Sequence, residues 1–260
     1  MRLVAHGRAA HKHAVAELFD MRARALRRDR AEAQPISFLH QRVFDDIVER
    51  IELVGRRFER ALLIGYRDPE WVQTLHGFVE RVDVADPDLI EDAWDPPHDA
   101  FDLAISVGTL DTVNELPLAL RLIRHAMQGD GLFIGAVSGG DTLPQLRTAM
   151  RAVDTIAGAA APHVHPRIDA SALAPLLDAA GFVNPVVDVD RVGVSYRSLE
   201  RLVGDLRGMA ATNILHGRRR FIGKAARAAV IQAFANLGDG SRTVETFEIL
   251  HFAAWTQVDG

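Results

Sequence analysis

The chain has 260 residues, 48% hydrophobic and 25% charged, with a formal net charge of −5 at pH 7 and no cysteine. That length allows one large domain or two small ones with a full core. The acidic balance argues against a nucleic-acid partner, because phosphate binding needs a basic face, and the missing cysteines exclude disulfide scaffolds, zinc fingers, iron–sulfur clusters and cysteine nucleophiles.

No run approaches the roughly 18 apolar residues of a membrane span. The His- and Arg-rich start lacks the apolar segment of a secretory signal, so no membrane span and a cytoplasmic location are expected. Residues 1–13 read as a polar lead-in. A helix over 14–33 is predicted from Leu18, Met21 and Ala25 at three-to-four spacing, with Arg22, Arg24, Arg27, Arg28 and Arg30 on other faces. A second helix over 37–54 places Phe38, Val43, Ile47 and Ile51 on one stripe and stops at Gly55.

Apolar residues 61–64 run into Gly65, and a helix opens at Pro69, which suits a first turn, reaching about residue 78. This is the strand, turn and helix of a Rossmann-like first unit. Small residues in such a turn let the backbone approach a nucleotide; here Gly65 is followed by Tyr66, Arg67 and Asp68. The turn reads either as a helix N-terminus receiving an anion or as an ordinary connection with Tyr66 or Arg67 filling the ligand's space. A strand over 81–85 ends near Asp86, which reads equally as a ribose acceptor and as a turn residue before Pro87. Residues 87–100, with Pro87, Pro96 and Pro97, read mainly as loop.

FDLAISV at 101–107 is the continuous apolar run of a strand buried on both faces. Ser106, Val107 and Gly108 stand at its carboxyl end, where open α/β sheets bind ligands. A helix over 116–127 and a strand over 131–137 follow. Gly139 and Gly140 allow a tight exit, and Asp141 or Thr142 can cap the helix over 142–157. His163 and His165 flank Val164 as loop histidines. Metal sites need three or four converging ligands and nothing nearby completes a set, so no metal is assigned.

Helices over 171–180, 198–211 and 224–236 and strands over 186–194 and 244–255 complete the pattern. Asp188 and Asp190 share one strand face, Val187 and Val189 the other; paired carboxylates can do acid–base work or simply face water. Strand–helix alternation predicts a mostly parallel sheet with helices on both faces. The chain divides into a helical segment at 1–58 and an α/β domain at 59–260, with a helical insertion at about 198–240. The arginines at 22–30 and at Arg218–Arg220 read as solvated faces or as docking patches for an acidic protein partner or an anionic surface.

The stretch SGGDTLPQLR at 138–147, with GLFIGAV before it and AGFVNPVVDVDRVGVSY after it, resembles one branch of the class I S-adenosylmethionine methyltransferases. That branch includes biotin-synthesis methyltransferases and bacterial relatives of a complex I assembly factor described as a protein-arginine hydroxylase. LFDMRARALRRDRA, VNELPLALRLIRHAM, YRSLERLVGDLRGMAATN and TFEILHFAAW are similar to the same branch. The resemblance spans nearly the whole chain, strongly from Phe101 onward and weakly between Gly65 and Asp99.

It implies an α/β, Rossmann-like, mostly parallel sheet of the seven-stranded methyltransferase type, with N-terminal helices, a helical insertion before the last strand, and S-adenosylmethionine as cofactor. On that basis Gly65, Asp86, Ser106 and Val107 are expected to contact the cofactor, and Asp141, Thr142, Tyr196 and Asn213 the substrate. No catalytic residue is assigned, because methyl transfer needs mainly positioning. The chain departs from the family pattern at three places. Its turn keeps one glycine. Residues 87–100 are short for the helix and strand expected there, which need about 15 residues. Asp111-Thr112 stands where relatives often carry His-Trp. Three functions follow: a methyltransferase acting on an unknown small-molecule or protein acceptor, a cofactor-free binding or assembly factor, or a protein-arginine hydroxylase-like factor.

Overall fold

The structure, a computed structural model, describes residues 17–33, 35–36, 38–65, 68–85, 94–217 and 222–258. Tyr66, Arg67, Asp86, residues 87–93 and Arg218–Arg220 lie outside the described residues, as does the lead-in at 1–13.

The sheet grows from three apolar strands, β1 (Phe58–Gly65), β3 (Phe101–Val107) and β4 (Met127–Ser138), which lie side by side. β2 (Val79–Ala85) pairs parallel to β1, β1 to β3, and β3 to β4. β5 (Phe182–Tyr196) and β6 (Thr243–Thr256) are antiparallel neighbours, and β6 is also antiparallel to β4. The order is β2-β1-β3-β4-β6-β5. Six strands are found among the described residues, where the resemblance implies seven, and β2 has no outer neighbour among them. β6 does not close an edge; it inserts between β4 and β5.

Helices cover both faces, as the alternation predicts. α2 (Phe38–Val54) and α3 (Pro69–Leu75) pack one face, with Ile47, Ile51 and Trp71 against Leu63 and Ile105. Phe44 and Trp71 stack in parallel, 4.3 Å between centroids. The buried stripe of α2 starts at Leu39; Phe38, assigned to it from spacing, is exposed. α4 (Leu116–Ala126) and α6 (Ala170–Ala179) cover the other face through Leu120, Ile123, Leu173 and Leu177.

The antiparallel end is covered differently. α5 (Pro144–Ala157), α7 (Leu199–Gly208) and α8 (Lys224–Asn236) form a third core with Tyr196 and Phe247. α7 and α8 are the helical insertion before the last strand.

α1 (Met21–Glu32) departs most from its predicted face. Asp20 caps it, accepting from the Ala23 N–H at 2.9 Å. It buries Ala23, Arg24 and Ala31, while Leu18 and Leu26 are exposed. Asp20 N–H bonds Ile214 O, and Phe19 packs with Ile214 and Leu215, so contacts from beyond α7 set the rotation of α1 rather than its weak apolar stripe.

The cap of α5 is also tertiary. Neither Asp141 nor Thr142 caps it. Leu143 occupies the N-cap in a left-handed conformation (φ 60°), held by its N–H to Thr246 O at 2.8 Å. The buried Glu245 carboxylate on β6 accepts from the N–H groups of Gln145 (3.2 Å), Leu146 (2.8 Å) and Thr246 (2.9 Å). Burial raises its pKa against those hydrogen bonds. Glu245→Ala leaves those amide donors without an acceptor, and a loss of about 2 kcal/mol in chemical denaturation is expected.

Candidate functional site

A crevice of about 410 Å³ opens over the carboxyl ends of β1, β3 and β4. β1 is flanked by β2 on one side and β3 on the other. The chain passes from β1 to β2 and from β3 to β4, in opposite directions along the sheet, which makes a topological switch point between β1 and β3, the usual ligand position of open α/β sheets. The volume suits a small-molecule site. α1 and α2 supply Arg24 and His40 to the lining, and Met209, after α7, closes it from the insertion.

Gly65 and Val107 line the crevice. Gly65 sits at φ 113°, and a Cβ there would stand 1.9 Å from Val107 O. The glycine is required by the β1–β3 approach whether or not a ligand is present. Gly108 follows at φ 65°, with His40 Nε2 2.8 Å from where its Cβ would be. Burial lowers the His40 pKa, with the Asp111 charge opposing.

The helix N-terminus expected to receive an anion already has one. Asp68 caps α3, accepting from the Glu70 N–H at 3.0 Å, and Pro69 offers no donor. A ligand carboxylate placed there would meet a fixed negative charge.

The other residues expected at the site separate. Ser106 is buried within β3 and does not line the crevice, because strand alternation turns Val107 and not its neighbour toward it. Thr142 lines the crevice, but its hydroxyl is engaged twice, donating to Glu248 O at 3.0 Å and accepting from Glu248 N at 3.1 Å. Asp141 is exposed and outside the lining, 3.3 Å from Arg191. Tyr196 is buried in the third core. Asn213 braces a loop, donating to Pro162 O at 2.9 Å and accepting from the Leu215 N–H at 2.8 Å.

Asp188 and Asp190 are outside the crevice and form no acid–base pair. They bridge to α2 through Arg50 (2.6 Å) and Arg42 (3.0 Å).

A polar cluster that local pattern does not reveal lines the crevice instead: Asp111, His165, Arg167, Arg24 and Ser138. Arg167 and Asp111 form an ion pair with side chains only 5% and 10% exposed. Burial alone would raise the Asp111 carboxyl; the Arg167 charge, a Ser138 hydrogen bond, His165 and Arg24 together hold it below its ordinary value. Arg24 is not on a solvated face: it is buried, with Nη2 3.3 Å from Thr109 O.

His165, 3% exposed, accepts from the Ile214 N–H through Nε2 at 2.9 Å. Burial, then the Arg167 charge, brings its pKa down to about 4. The ring is neutral at pH 7, with its proton on Nδ1 by this hydrogen-bond assignment. His163 separates from it, 2.8 Å from Asp154. Among the described residues no group of three or more His, Asp or Glu side chains forms a metal site.

Spacing marks His165 only as a loop histidine and does not single out Arg167. The one local sign of this cluster is Asp111, singled out above as a departure from the pattern that the resemblance implies.

No family model matches the chain. It is 30% identical over 269 residues to the rat (Rattus norvegicus) mitochondrial protein named arginine-hydroxylase NDUFAF5, covering 93% of this chain and 78% of that relative. It is 31% identical over 157 residues to a malonyl-[acyl-carrier protein] O-methyltransferase of Laribacter hongkongensis, over 60% of this chain and about half (51%) of that protein. Its fold matches that of a methyltransferase candidate from Bacillus halodurans C-125, with a TM-score of 0.51 at 8% identity, over 81% of this chain and 99% of that one. No helix of the described residues is long and apolar enough to cross a membrane.

Proposed function

This chain belongs to the NDUFAF5 arginine-hydroxylase family, and on that premise we propose that its crevice binds S-adenosylmethionine and that the protein transfers the methyl group to a small-molecule or protein acceptor. The observation that carries this reading is the crevice itself: about 410 Å³ at the switch point of a methyltransferase-like sheet, floored by Gly65 and Val107. When bound, the cofactor supplies an electrophilic methyl group; the protein's part is to seat it and aim the acceptor in line.

Val107 and Gly108 would face the adenosyl group, and Asp86, which follows β2, is assigned to the ribose on sequence position alone. Asp68 occupies the anion position of α3, so the methionine carboxylate would be held elsewhere in the lining, which also carries Arg24, Arg28 and Arg167. A cytoplasmic site of action is part of this proposal, and so is an acidic protein partner for the basic patches.

Isothermal titration with S-adenosylmethionine and S-adenosylhomocysteine tests it. Dissociation constants in roughly the micromolar range are expected, weakened by Ala211→Trp at the rim. No heat and no thermal shift at about millimolar ligand would leave the binding or assembly factor.

A second reading, hydroxylation of a protein arginine, is favoured by the rat relative's name and its match over 93% of this chain. Mass spectrometry of arginine peptides distinguishes the two. A donor-dependent gain of one methylene supports transfer; a gain of one oxygen atom supports hydroxylation.

A further inference from the structure

Two buried N–H groups in the crevice lining have no acceptor among the described residues: His165 Nδ1 and Arg167 Nε. Both side chains are more than nine-tenths buried. Leaving a buried donor unsatisfied is costly, and native structures do so rarely. His165 cannot turn its ring to satisfy Nδ1 without giving up the Ile214 N–H at Nε2. Arg167 is anchored by Nη1 to Asp111, which fixes the remaining edge of its guanidinium. The surrounding charge is cationic: Arg147 acts on Arg167, Arg27 on His165 and Arg24 on Asp111, with Asp111 the anion common to all three sites.

We propose that His165 Nδ1–H and the Arg167 Nε–H edge form a carboxylate subsite within the crevice, receiving the acid group of a bound ligand. At these atoms a neutral imidazole protonated on Nδ1 and a guanidinium can only donate, so the subsite selects hydrogen-bond acceptors and rejects cations. The carboxylate has two chemical sources, the amino-acid end of an adenosyl donor or an acid group on the acceptor. The first source rests on the proposed cofactor; the second does not.

The test uses the full chain, with S-adenosylhomocysteine, methylthioadenosine (the same thioether without its amino-acid end) and succinate as titrants. The variants are Arg167→Lys, which keeps the charge but loses the Nε–H edge, and His165→Phe. Thermal melts confirm that each variant folds, and Arg167→Lys stands alone if His165→Phe does not.

If the donor fills the subsite, wild type prefers S-adenosylhomocysteine to methylthioadenosine by about tenfold or more, and Arg167→Lys removes the preference without weakening methylthioadenosine. If the acceptor fills it, Arg167→Lys spares both adenosyl ligands and weakens succinate by about tenfold. Variant-sensitive succinate binding in a protein that binds neither adenosyl ligand keeps the subsite and ends the cofactor reading. Adenosyl binding with no preference, together with succinate binding that is absent or unchanged in Arg167→Lys, overturns the subsite and leaves the cofactor reading standing.

Discussion

Gly65→Ala is expected to lower stability by about 4 kcal/mol or more, from a glycine-only backbone conformation and a steric overlap that adds to it. Gly65 holds φ 113° while paired with Val107 on β3, and the new Cβ would lie 1.9 Å from Val107 O and 3.2 Å from Thr109 Oγ1. The first of these is backbone inside the central parallel sheet and cannot swing away. The loss approaches the whole stability of an ordinary domain, so poor soluble yield or a collapsed denaturation midpoint is the expected readout. Gly55→Ala is the control. Its φ is 70°, but nothing lies within 4 Å of the added Cβ, so about 1–2 kcal/mol is expected. Equal losses at the two positions would show that the β1–β3 approach is looser than described.

Arg167→Met is expected to cost about 3–5 kcal/mol at neutral pH, because it strands the buried Asp111 charge. Replacing both partners, as Arg167→Met with Asp111→Leu, should recover most of that loss, since a buried pair exchanged for apolar residues is often neutral. The pH dependence separates this from simple loss of packing. In the wild type the Asp111 carboxyl titrates below its ordinary 3.8. A depressed folded pKa contributes stability that is present above the unfolded value and is lost as pH falls through the folded one. Without Arg167, burial dominates and the carboxyl titrates upward, so the variant gains stability relative to wild type on acidification. The gap between the two proteins should start to narrow as pH falls through the variant's raised Asp111 pKa and close only below the wild type's depressed one. A gap that stays constant across pH would assign the loss to the missing side-chain volume instead.

Local pattern was sufficient wherever a residue's partner is a periodic neighbour. β3 reads as a buried strand because every residue of FDLAISV but Asp102 and Ser106 is apolar, and α8 begins and ends where its sequence does, at Lys224 and Asn236. The same pattern misled where it was weak. Leu18, assigned to the apolar stripe from spacing, precedes α1 and is exposed, as is Leu26 within it, while Ala23 and Ala31 are buried; contacts of Phe19 with Ile214 and Leu215 decide which face turns inward.

The sequence by itself thus determined the strand and helix succession, the Rossmann-like opening with its lone Gly65, and the family, because each depends on residues within a few positions of one another. Tertiary structure alone decided that β6 enters between β4 and β5, that Glu245 caps a helix whose amides are 99 and 100 residues away, and that Arg167 meets Asp111 across 56 residues. Spacing carries no information over such separations. The energies that choose those partners, satisfaction of buried charges and amides, exist only once the surrounding water has been removed.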